Sequence, residues 1–109
     1  MIAAWLGAFV FTQAIEMPVY AAALRGRPHH WLRAFGASAC THPVVFFVFP
    51  RVWPGDYAEQ VLAAEAFAVA GEALYLGLQG VERSVLWSLA ANALSASLGL
   101  ISRAAFGWP

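Results

Sequence analysis

The chain has 109 residues, 61% of them hydrophobic and 11% charged, with six basic and six acidic side chains and a net charge of zero. A soluble domain of this size exposes so much of its surface that roughly a quarter of its residues are normally charged. The composition therefore excludes an ordinary soluble globule, a disordered chain and a nucleic-acid binder, which needs a basic surplus, and it points to an all-α polytopic membrane protein.

Crossing ~30 Å of hydrocarbon takes about 20 helical residues. Four stretches meet that length, at residues 2–24, 31–49, 57–79 and 84–106, and they predict a small four-helix transmembrane bundle in one domain covering 1–109. The single cysteine, Cys40, excludes an intramolecular disulfide framework.

The first span starts apolar, without the basic segment of a signal peptide, and reads as a retained helix. It carries Gln13, Glu16 and Tyr20 at spacings of three and four, hence on one face. Pro18 lies beside them and frees the carbonyl of Ala14. The break at 25–30 contains Arg25, Arg27, Gly26, Pro28, His29 and His30, and Arg33 follows it.

Span two holds Ser38, Thr41 and His42, with Pro43 freeing the carbonyl of Ala39. Its break, 50–56, balances Arg51 against Asp56 and Glu59 nearby. Span three carries Glu65 and Glu72 two turns apart, then Tyr75 and Gln79. The short break at 80–83 leads into span four, where Ser84, Ser88, Asn92, Ser95, Gly99 and Ser102 keep to one face. Small and hydroxyl-bearing residues in that pattern serve helix packing, and the same bland role fits Gln13, Ser38 and Thr41.

Trp5, Trp31, Trp53, Tyr57, Trp87 and Trp108 fall near span ends, where amphipathic rings sit at the headgroup level. Arg25, Arg27 and Arg33 place the first break in the cytoplasm and both termini outside, with Arg103 a mild counter-signal. A bacterial inner membrane is the expected location. The partners expected are the lipid bilayer and either further copies of the chain or a larger membrane complex.

Acidic side chains at mid-bilayer are retained mainly where they face a bundle interior. Counting ~1.5 Å per residue from each span centre puts Glu16, Glu72 and Asn92 roughly 4–6 Å toward the cytoplasm, and His42 and Glu65 on the outer side. We therefore expect an inner layer of Glu16, Glu72 and Asn92, with Tyr20 reaching Glu16 and Tyr75 reaching Glu72, and Ser95 in support. His42 and Glu65 form the outer layer, and they are the candidate ligands should a divalent metal ion bind; no cofactor is otherwise predicted. A Glu–Tyr pair before a turn recurs in spans one and three, a faint parallel repeat.

The Glu-x-x-His pairs of di-metal bundles are missing, as are His-Glu-x-x-His, Gly-x-Ser-x-Gly, Walker and Rossmann patterns. Cys40 and His42 do not share a helical face, and Ser88 or Ser95 with His42 is the remaining nucleophile–base option. In length and number of spans, with a glutamate in span one at Glu16, the chain resembles the small multidrug resistance transporters. That resemblance implies a transport role for Glu16, although two acids in span three and Pro18 depart from the pattern.

Three functions follow from these features. The first is a transporter or channel subunit moving a proton, metal ion or small cation along Glu16, Glu72, His42 and Glu65. The second is an accessory subunit whose polar stripes only pack, and the third an intramembrane enzyme using Glu and His as acid and base.

Overall fold

In hydrocarbon a backbone has to satisfy its own N–H and C=O groups, so apolar runs of this length become helices. The computed structural model describes residues 2–108 and is 84% helical, with no strand among them. Its four long helices are α1 (Ile2–Ala23), α2 (His30–Val52), α3 (Tyr57–Leu78) and α4 (Ser84–Phe106), each apolar enough to span a membrane. The bounds of α1, α3 and α4 lie within a residue of those expected.

The second helix differs. It continues past the expected end at Phe49 to Val52, because Val44–Val48, directly after Pro43, winds as a π-helix. The wider turn re-registers the ladder, so that Pro50 falls in the first turn of the α-helical stretch Phe49–Val52. Proline is compatible with that first-turn position, since its fixed φ is already helical.

Turn chemistry sets the other ends. Asp56 caps α3 by accepting the Glu59 N–H at 2.9 Å. Gly80 takes φ +80° in the α3–α4 turn. Arg27 reaches across to this turn, donating from Nε to the Gln79 carbonyl at 3.0 Å and from Nη2 to the Gly80 carbonyl at 2.9 Å. Arg33 donates to Gln79 Oε1 at 3.1 Å. Two of the arginines that suggest orientation thus also clasp the two turns at one end of the bundle.

The helices form a ring: α1 packs on α2 and α4, and α3 packs on the same two. Large apolar side chains such as Leu62, Leu74, Leu78, Leu86, Leu100 and Ile101 point outward. The interior instead holds Ala34, Ala37, Ala91, Leu24 and Leu76 near the clasped end and a polar cluster further along. That arrangement suits a lipid solvent, which covers Leu as well as a protein core does while leaving polar groups to be satisfied inside. The protein is an integral membrane protein of four helices.

Candidate functional site

The polar faces converge on one partly open cavity of about 80 Å³ between the helices. Thr12 and Glu16 come to it from α1, Ser38, Thr41, His42 and Val45 from α2, Glu65, Ala68 and Glu72 from α3, and Asn92 and Ser95 from α4. The two expected layers are therefore one chamber. Its volume admits a few waters or a small hydrated ion, since one water needs about 10–15 Å³ of such space.

Glu16 and Glu72 are 1% and 2% exposed, and every one of their four carboxylate oxygens accepts a hydrogen bond. Ser38 Oγ donates to Glu16 Oε1 at 2.6 Å, and Ser95 Oγ to Glu16 Oε2 at 2.5 Å. Glu72 Oε1 accepts from the Tyr20 hydroxyl at 2.5 Å and from Asn92 Nδ2 at 2.9 Å, while Thr41 Oγ1 donates to Glu72 Oε2. The donors come from α1, α2 and α4, so the pair ties all four helices together.

All of these donors are neutral. No arginine lines the cavity, and the chain has no lysine. Apart from His42, nothing in the lining can offset the charge of two buried carboxylates, and a bound proton or cation serves that need. Four of the five donors are hydroxyls, which can turn from donor to acceptor when a carboxyl takes a proton. Asn92 Nδ2 cannot, so it marks Glu72 Oε1 as the oxygen that stays unprotonated and leaves Oε2, beside Thr41, as the place for a proton.

Glu65 is half-buried and makes no side-chain hydrogen bond among the described residues. It lines both the chamber and an outer groove of about 420 Å³ between α2 and α3, where Phe46, Pro50, Tyr57 and Val61 are its neighbours. Glu65 is thus the carboxylate at the chamber's lateral edge. His42 accepts the Trp5 indole N–H on Nδ1 at 3.1 Å.

Both expected tyrosine pairings are corrected. Tyr20 crosses to Glu72 rather than folding back on Glu16. Tyr75 donates to the Arg33 carbonyl at 2.8 Å and lies outside the chamber lining. An i+3 or i+4 neighbour shares a face, but the acceptor on the facing helix is nearer.

The serine–histidine option has no geometry behind it: Ser88 donates to the Val69 carbonyl, Ser95 to Glu16, and the bonded nitrogen of His42 takes Trp5. Among the described residues no three His, Cys, Asp or Glu side chains gather closely enough to hold a metal ion, so His42 and Glu65 are chamber neighbours without a third such ligand.

Ser38 and Thr41, which read as packing residues, are direct donors to the carboxylates. Ser38 standing four residues before His42 and three before Thr41 was the available signal. Trp5 reads from the sequence only as a headgroup-level aromatic, because its partner His42 lies on another helix, and Thr12 lines the chamber without having been singled out in the sequence. No family model matches the chain, and no curated protein or solved structure matches it either. The likeness to small multidrug resistance transporters stays one of length and span number.

Proposed function

We propose that this protein moves a proton or a small cation across the membrane through the Glu16–Glu72 chamber. The observation that supports this most is the pairing itself: two carboxylates on facing helices, held in one membrane-buried cavity by neutral donors alone. A cation reaching the chamber displaces the proton that offsets their charge, and its departure lets the proton return, which couples the two movements. Glu65, at the edge shared by chamber and groove, is the first carboxylate met from the side, and His42 lines the same wall.

A chamber of this size fits an ion and not a larger solute, and four helices leave no room for a wider path, so transport calls for a second copy or another membrane subunit. We place the arginine-rich turn in the cytoplasm of a bacterial inner membrane, with both termini outside. The packing-only reading predicts different mutants. Glu→Gln keeps shape and hydrogen bonding while removing titration. In proteoliposomes with an imposed pH gradient, E16Q and E72Q should retain the helical content and thermal unfolding of the wild type but lose proton flux. Full flux in both variants, or loss of folding in both, would assign the carboxylates to packing.

A further inference from the structure

Trp5 stands outside the proposed transport chemistry, yet it holds one of the chamber's ionisable side chains. Its indole Nε1–H donates to His42 Nδ1 at 3.1 Å across the α1–α2 interface. An indole N–H is a donor only, so the nitrogen that accepts it carries a lone pair and no proton. A neutral imidazole bearing a lone pair on Nδ1 has its hydrogen on Nε2.

The ring is fixed from other sides as well. His42 stacks on Phe46 with centroids 6.4 Å apart and meets Phe9 edge-on at 5.4 Å. Trp5 is itself clamped, stacked on Phe9 at 5.2 Å and tilted against Phe47 at 5.7 Å. Neither ring can turn freely, so the bond direction is a property of the fold.

We infer that Trp5 is a positioning residue that locks His42 as the Nε2–H tautomer, making it a hydrogen-bond donor to the chamber rather than a base. The acidic groups around that chamber are Glu16 from α1 and Glu65 and Glu72 from α3. A donor on the α2 wall complements them, directly or through a water. The lock also keeps Nδ1 from serving as a proton acceptor or metal ligand until the indole withdraws. His42 thus takes part in proton or cation movement as a fixed donor, and its conversion to imidazolium requires the Trp5 contact to open.

The test is nitrogen NMR on protein with 15N-labelled histidine and tryptophan in lipid bilayers at neutral pH. The His42 signals are identified by their absence from H42Q. The wild type should show a protonated Nε2, a bare Nδ1, and a through-hydrogen-bond coupling between Trp5 Nε1 and His42 Nδ1. In W5F, which keeps an aromatic ring against Phe9 and Phe47 but has no donor, the coupling vanishes and the tautomer ratio falls by about fivefold, the factor supplied by a typical net hydrogen bond.

A wild-type His42 protonated on Nδ1, no coupling in the wild type, or an unchanged ratio in W5F would each overturn the lock. If W5F does not fold, the wild-type coupling decides alone. None of these readouts involves flux. Retained flux in E16Q and E72Q would overturn the transport reading and leave the His42 assignment standing, and a missing coupling would do the reverse.

Discussion

Glu16 shows what a single buried carboxylate demands. Each of its oxygens depends on one hydroxyl, Ser38 on one side and Ser95 on the other, and these come from different helices. Leaving a buried acceptor without its donor costs ~1–3 kcal/mol, more when the acceptor is charged. S38A and S95A should each lower stability by an amount in that range, read as a shift in the thermal unfolding midpoint in detergent. Because both hydroxyls serve one carboxylate, the double variant should depart from the sum of the singles by ~0.5–3 kcal/mol. Strict additivity would mean that the two bonds are independent of each other. The mid-span acids were legible at this scale from their cost in lipid, whereas their donors were not. Serine is common in membrane helices, and its spacing does not reveal which residue across the interface it will meet.

The turns decide how the helices are presented to one another. Gly80 sits at φ +80°, in the left-handed region, where a side chain is strained even though only Arg27 Nη2, at 3.7 Å, lies near the added carbon. G80A should therefore destabilise the protein by about 1 kcal/mol through backbone strain rather than collision. Amide hydrogen exchange at Gly80 and Val81 should quicken along with it, and unchanged exchange would show that the turn adapts. Gly80 and the preceding helix pattern marked this turn in the sequence. The extension of α2 did not show there, because Pro50 reads as a helix end unless a π-helical stretch has already shifted the register.

For the molecule as a whole, orientation is the property with the widest consequences. Arg27 and Arg33 bind the α3–α4 turn, so the α1–α2 and α3–α4 turns lie together at one end, as the two spans between them require. Single cysteines introduced at residues 25–30 in a C40S background should label only from the cytoplasmic side in intact cells. Replacing Cys40 is necessary because it is exposed on α2. Labelling of the turn from outside would invert the topology and with it the direction in which Glu65 is met.

Span number, the lengths of α1, α3 and α4, and the identity of the buried acids were determined by the sequence alone. Each is a local consequence of hydrocarbon thickness, of backbone self-satisfaction, and of the cost of charge in lipid. Which residues touch was decided only by the tertiary structure. Helical periodicity states the face on which Glu16, Glu72, His42 and Tyr20 lie, but not the order of helices around the ring or their relative rotation. Those set Tyr20 on Glu72 rather than Glu16, drew Tyr75 away to Arg33, and joined two expected layers into one chamber. The physical reason is range: a transmembrane helix satisfies its backbone by itself, whereas its polar side chains are satisfied by neighbours distant in sequence, and no local pattern encodes those neighbours.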